Sequence, residues 1–142
     1  MLHFSISSDR SQLFVLRSIL SRPDVHVILD ETISKEPLSP VVRDDDVLFF
    51  KLMRWIIFAM VQAEEWGLTR DNMYAQSEAH PDIKQFLGRA RNIAPALGVS
   101  QTFVAQILDQ VGHYGDVYEK NFGAKSAITV PRGKNALWQQ GC

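Results

Sequence analysis

Apolar residues concentrate in one long run, from Val47 to Ala63, which only Lys51, Arg54 and Gln62 interrupt. A membrane-spanning helix needs about 20 mostly apolar residues, and Lys or Arg near its centre is costly. The uncharged part of this run is too short to span a bilayer. We therefore predict a helix of a soluble domain here.

Both ends of this helix carry local signals. Asp44, Asp45 and Asp46 precede it, and carboxylates at a helix start can accept hydrogen bonds from free backbone amides. We favour this capping role over a cation site built from the three aspartates. Gly67 follows the last turn and can end the helix.

At helical spacing, apolar residues cover most of the helix circumference. One stripe contains Leu48, Leu52, Trp55, Ala59 and Ala63, and nearly opposite lie Phe50, Ile57 and Val61. A helix of this kind must be covered on more than one side. It is therefore predicted to lie centrally, between a sheet and other helices.

The first third of the chain mixes strand and helix patterns. His3–Ser8 and Val25–Leu29 are predicted to be short strands on either side of a helix over Ser11–Leu20. This order is typical of a βαβ unit. Pro37 and Pro40 then exclude a helix interior and a central strand, so an extended connection follows.

The last two thirds of the chain are predicted to be mainly helical, with a turn at 94–98. One helix over 100–112 has Phe103, Ile107 and Val111 on a shared face. After it, Tyr114, Tyr118 and Phe122 follow one another at i, i+4 spacing.

Composition limits the classes of function. The chain has 142 residues and a net charge of −1, so no global basic field attracts nucleic acid. Its single cysteine, Cys142, excludes an intrachain disulfide. The first ten residues lack a signal-peptide pattern, so a chain expressed as written is expected in the cytoplasm.

No motif favours an enzyme. The four histidines are not spaced as metal ligands, and neither a nucleophile elbow nor a phosphate-binding loop is present. Glu64 and Glu65 are adjacent and point to different faces of a helix. We therefore predict neither catalytic activity nor a metal or other cofactor.

One small polar group stands out at the end of the first predicted strand, where Asp9 follows Ser8. In open α/β sheets, ligands lie beyond the carboxyl ends of strands. A carboxylate there can pair with an ammonium group, and a hydroxyl can add a hydrogen bond. The alternative is that Asp9 only caps the next helix.

Five stretches carry a resemblance to a known family. They are SSDRSQL, VILDETISKEPLSPVVR, AEEWGLTRDN, VGHYGDVYEKNFG and PRGKNALW. In this order the chain resembles the C-terminal part of periplasmic substrate-binding proteins of general L-amino-acid ABC transporters, which are type II periplasmic binding proteins. The resemblance implies an α/β fold with two lobes and a ligand cleft, of which this chain carries a mainly helical part with few strands.

The resemblance also implies a division of the chain. Residues 1–33 match the end of the second lobe, residues 34–43 cross the hinge, and residues 44–142 close the first lobe. Asp9 matches the acidic residue that binds the α-ammonium group of the amino acid, with Ser8 beside it. An L-amino acid and a transporter permease are the implied partners, and the periplasm is the implied location.

The chain departs from the family in length. It matches only the later part, and no arginine here matches the one that binds the ligand carboxylate. We therefore expect a truncated or split receptor that cannot bind an amino acid alone. Because part of its apolar helix would lie open to water, we expect the isolated chain either to self-associate or to be partly molten. The alternative is a small helical interaction protein that keeps the scaffold without a ligand site.

Overall fold

A computed structural model describes residues 4–34, 38–88 and 94–140. Six α-helices follow one another within these ranges: α1 (Arg10–Ser18), α2 (Val47–Glu65), α3 (Met73–Ala79), α4 (Pro81–Phe86), α5 (Phe103–Gln110) and α6 (Tyr114–Phe122). Short 3₁₀ turns lie at Pro23–Val25, Ala94–Leu97, Gly133–Asn135 and Trp138–Gln140. Helices α2 to α6 form what we call the helical body, and the described residues from 4 to 43 form the arm.

The two predicted strands are wrong for the described residues, none of which forms a strand. His3 and Pro37 lie outside the described residues. In the first segment Phe4 is 88% exposed, and in the second Val27 is 80% exposed. A strand exists only by hydrogen bonding to a neighbouring strand, and residues 4–8 and 25–29 have none here. Val25 instead ends the 3₁₀ turn at Pro23–Val25, so the pattern of apolar residues did not supply a strand partner for either segment.

Helix α2 begins and ends as its local signals predicted. The Asp46 carboxylate accepts a hydrogen bond from the Phe49 amide at 2.9 Å. Gly67 adopts a positive φ of 61° just after the helix, and the Leu68 amide donates back to the Ala63 carbonyl at 2.8 Å. The capping role of the aspartates is therefore confirmed at Asp46.

The predicted cover of α2 is only partly present. Helix α2 contacts α5, α6 and the turn at Ala94–Leu97, and in its second half Ala59 and Ala63 are buried. Its first half stays open, since Phe50 is 48% exposed. The sheet predicted to cover the helix is absent from the part of the chain described here. No helix in that part combines the length and apolar character needed to cross a membrane.

The core of the helical body is small and continuous. It consists of Ala59, Ala63, Leu68, Met73, Ile83, Leu87, Val104, Ala105 and Leu108, with Phe86 and Phe103 packed against it. On α5 the buried side chains are those of Val104, Ala105 and Leu108, whereas Val111 on the predicted face is exposed. The predicted helix is confirmed over Phe103–Gln110, and of the predicted face Phe103 packs on the core whereas Val111 does not.

Candidate functional site

The residues predicted to bind a ligand lie at the start of α1. Asp9 is the N-cap residue, and its backbone carbonyl accepts a hydrogen bond from the Leu13 amide at 2.9 Å. Its carboxylate makes no capping hydrogen bond. Ser8 donates its hydroxyl to the Gln12 side-chain oxygen at 2.6 Å. Asp9 thus has the position of a cap, while its carboxylate is not used as one.

This site is open to solvent. Ser8 is exposed and Asp9 is half-buried. Arg10 next to them approaches Asp30 at 3.4 Å, and both side chains of that pair are largely exposed. An exposed pair of this kind contributes little to stability. The described arm therefore supplies a carboxylate and a hydroxyl, but no wall that would exclude water from a ligand.

A second polar group lies inside the helical body, where residues far apart in sequence meet. Arg132 donates through both terminal nitrogens to the Glu64 carboxylate, and its Nη2 to Glu64 Oε2 distance is 3.1 Å. Nη2 also donates to the Asn135 carbonyl at 2.7 Å. The Glu64 side chain is 8% exposed and that of Arg132 is 20% exposed. This bidentate pair is shielded from water, unlike the Arg10–Asp30 pair.

Two tyrosines of α6 flank the pair. The Arg132 guanidinium lies 5.5 Å from the ring centre of Tyr114 and 5.4 Å from that of Tyr118. Its hydrogen bond to Glu64 raises the pKa of Arg132 above its ordinary value. Burial raises the pKa of Tyr118, and the nearby Tyr114 adds to that shift. Tyr118 donates its hydroxyl to the Val130 carbonyl at 3.2 Å.

Gly115 gives the Glu64 carboxylate its space. A Cβ atom at this position would lie 2.4 Å from Glu64 Oε1, closer than any real contact. Any larger residue would therefore displace the carboxylate from Arg132. Three of the quoted motifs, AEEWGLTRDN, VGHYGDVYEKNFG and PRGKNALW, thus meet at one place in the fold.

Sequence reasoning missed this cluster. In the local sequence Glu64 stands out only beside Glu65, and Arg132 only as part of the PRGKNALW motif. The partners are separated by 68 residues, so no local spacing joins them. The one available signal was the presence of all three motifs in the resemblance.

Two of the histidines predicted not to bind metal, His26 and His113, have other partners. His113 caps α6, since its Nδ1 accepts from the Asp116 amide at 3.2 Å while Asp116 accepts from the His113 amide at 2.9 Å. His26 Nδ1 lies 2.8 Å from the Arg22 carbonyl. Among the described residues, no group of three or more potential ligands could hold a metal ion.

Two grooves on the surface of the described residues are not lined by Asp9 or Ser8. One of about 430 Å³ lies between residues 40–44 and the start of α2, with Val47 and Phe50 in its wall. Another of about 270 Å³ is lined by Trp66, Gln76, His80, Asp82 and Ile83. Neither one therefore supports the predicted amino-acid site.

Comparison with known proteins identifies the relatives of the chain. It is 41% identical over 138 residues to the general L-amino acid-binding periplasmic protein AapJ of Rhizobium johnstonii, covering 95% of this chain. It is 40% identical over 139 residues to the glutamate/glutamine/aspartate/asparagine-binding protein BztA of Rhodobacter capsulatus, covering 96% of this chain. The chain is homologous to periplasmic amino-acid-binding proteins of ABC transporters. No protein-family model matches it.

A solved structure supports the same relationship. An ABC transporter periplasmic binding protein from Brucella ovis, with glutathione bound, superposes with a TM-score of 0.82 at 39% identity and covers 94% of this chain. The match extends over 43% of that structure, and over 40% and 41% of the two named relatives. The chain thus spans about two fifths of their length. Its fold is that of part of a periplasmic binding protein.

Proposed function

We propose that this chain corresponds to the C-terminal part of the amino-acid-binding component of an ABC transporter. The observation that carries the proposal is the similarity to amino-acid-binding relatives along 95–96% of the chain. The proposed partners are an L-amino acid and, for the assembled receptor, a transporter permease. The proposed location is the periplasm, as the name of the Rhizobium relative states for that protein.

The proposed division of the chain follows the resemblance. Residues 1–33 would belong to the second lobe, residues 34–43 to the crossover and residues 44–142 to the first lobe. The distribution of buried residues supports this division, since none of the described residues from 4 to 43 is buried, whereas the core begins within α2. An arm of this kind would contribute to a lobe whose other elements lie outside this chain.

Asp9 and Ser8 are the proposed ligand residues. The Asp9 carboxylate is free of any capping bond, which leaves it available to an α-ammonium group. The positive end of the α1 dipole stabilises its charge. Ser8 can redirect its hydroxyl from Gln12, because that bond is exposed to solvent.

These two residues alone are too few for measurable binding. One set of charge-assisted hydrogen bonds contributes about 1.5–3 kcal/mol, and millimolar affinity requires about 4 kcal/mol. A ligand cleft also needs walls that exclude water. We expect calorimetry to detect no L-amino acid binding by the chain alone, and micromolar binding would contradict this part of the proposal.

The decisive experiment joins the chain to the part of the Rhizobium relative that it does not cover. The hybrid is expected to bind an L-amino acid in calorimetry. Asp9→Asn should weaken binding by about 2–5 kcal/mol, because the ligand ammonium loses its charged partner. Asp30→Asn is the matched control, since Asp30 is an exposed acid of the same arm. If the Asp9→Asn hybrid binds the amino acid as tightly as the unchanged hybrid, Asp9 does not bind the ligand and only occupies the start of α1.

A second candidate function is a small helical interaction protein. The exposed apolar first half of α2 favours it, because a patch of that kind marks a contact surface. A hybrid that folds but binds no amino acid would support this candidate over the receptor component.

A further inference from the structure

The last described segment of the chain is held to the helical body at a few points. We call residues 126–140 the C-terminal strap. The Val130 amide donates to the Phe122 carbonyl at 3.0 Å, and the Val130 side chain is buried. Two residues later, Arg132 enters the pair with Glu64. Further along, Trp138 is exposed, so it adds little apolar contact.

We propose that the Glu64–Arg132 pair is a clasp that holds the C-terminal strap closed over the ends of α2 and α6. Loss of the pair opens the strap while the helical body stays folded. The clasp requires no bound ligand, so it stands apart from the proposed amino-acid site.

The strap has further hydrogen bonds, from Ser126 to the Gly123 carbonyl and from Tyr118 to the Val130 and Pro131 carbonyls, but the Glu64–Arg132 pair joins it to α2 by an ionic contact. The bidentate geometry and the shielding by Tyr114 and Tyr118 strengthen the attraction between the two charges. When one charge is removed, the other is left buried without its partner, which is strongly unfavourable. Opening the strap returns the remaining charge to water and removes this penalty. Loss of either charge therefore favours the open state.

The helical body does not depend on the strap for its core. The core cluster runs from α2 to α5 and includes Ala63, Leu68 and Leu108, but no residue of the strap. Opening of the strap would expose the Val130 side chain and break the hydrogen bond from the Tyr118 hydroxyl to the Val130 carbonyl. The core cluster would stay packed. Local opening without global unfolding is the behaviour expected of such a segment.

Gly115 is the residue that permits closure. It is the second residue of α6, and alanine at this position of the first turn does not disfavour the helix. In Gly115→Ala, however, the new Cβ would occupy the place of the Glu64 carboxylate. The substitution therefore displaces the Glu64 carboxylate from Arg132 without weakening helix α6.

Hydrogen exchange of the full chain tests the clasp. The Val130 amide reports on the strap, and the Leu68 amide, bonded to the Ala63 carbonyl at 2.8 Å, reports on the body. Glu64→Gln and Gly115→Ala should each speed exchange at Val130 by about tenfold or more, with Leu68 unchanged. Arg70→Gln is the matched control, because it breaks the exposed Arg70–Asp109 pair and should alter neither amide.

Two results would overturn the clasp. Equal acceleration at Val130 and Leu68 would show that the pair stabilises the whole body and not the strap. Unchanged exchange at Val130 in both variants would show that Val130 and Tyr118 hold the strap without it. Gly115→Ala keeps the test informative if Glu64→Gln fails to fold, since it leaves both charges in place.

Discussion

The arm and the helical body are built from similarly apolar sequence, yet only one of them has a core. Of the described arm residues none is buried, and Ile6, Val27 and Leu29 lie open to water. In the body, Leu68, Leu87 and Leu108 are fully enclosed. Apolar character supplies the driving force for burial, but a side chain is buried only where other elements can reach it.

Helix α2 shows the same contrast within one element. The helix packs on α5 and α6 with Ala59 and Ala63 buried in its second half, whereas its first half carries Phe50 and Trp55 on an open surface. Both halves satisfy the same helical pattern and share one cap. The two halves differ in burial because different elements lie next to them, so the buried core ends part-way along α2.

The largest expected effect separates core from arm directly. Leu108→Ala removes a side chain that is 1% exposed, and should lower the free energy of unfolding by about 2–5 kcal/mol. Leu29→Ala makes the same change at 70% exposure and should alter it by less than about 0.5 kcal/mol. Urea unfolding followed by circular dichroism measures both. A comparable loss for Leu29 would mean that the arm has a core of its own.

The next effect concerns the open half of α2. We expect the chain to self-associate at micromolar concentration, and Phe50→Ser to weaken association by about 1.5–3 kcal/mol. Leu38→Ser in the arm is the control, because Leu38 is an exposed apolar residue that is not part of the helix. Sedimentation measures the association. A compact monomer of the unchanged chain would argue against this surface being a contact site, and would show that the helices need no further cover.

A smaller effect tests a feature that depends only on local sequence. Gly67 has a positive φ, and no atom lies within 4 Å of where its Cβ would be. Gly67→Ala should therefore cost only backbone strain, about 1–2 kcal/mol in thermal or urea unfolding. Gly67→Asn should cost less, because asparagine tolerates this conformation. Equal losses for both would point to a packing role that the open space does not suggest.

The smallest expected effect concerns the ionisation of Tyr118 at alkaline pH. Because the pKa of Tyr118 is raised in the folded state, the folded chain holds this proton more tightly than the unfolded chain. Its contribution to stability is complete below the ordinary tyrosine pKa and is lost as pH rises through the folded value. Unfolding free energies at about pH 9 and about pH 11 should therefore differ less in Tyr118→Phe than in the unchanged chain. An identical difference would show that other groups control the alkaline loss.

Several features could be predicted because they depend on residues within a turn of one another. The Asp46 cap, the Gly67 stop and the i, i+4 series of Tyr114, Tyr118 and Phe122 all belong to this class. The resemblance added the family, since its motifs keep their order along the chain.

Other features required the tertiary structure. Strands at residues 4–8 and 25–29 depended on partners that local pattern cannot reveal, and the buried face of α5 depended on what packs against it. The Glu64–Arg132 pair joins positions 68 residues apart. The sequence by itself determined where α2 starts and stops and which proteins the chain resembles, because those signals are local or ordered along the chain. Only the fold decided which apolar faces are buried and which charges meet, because burial and pairing depend on distances between segments that the linear order does not contain.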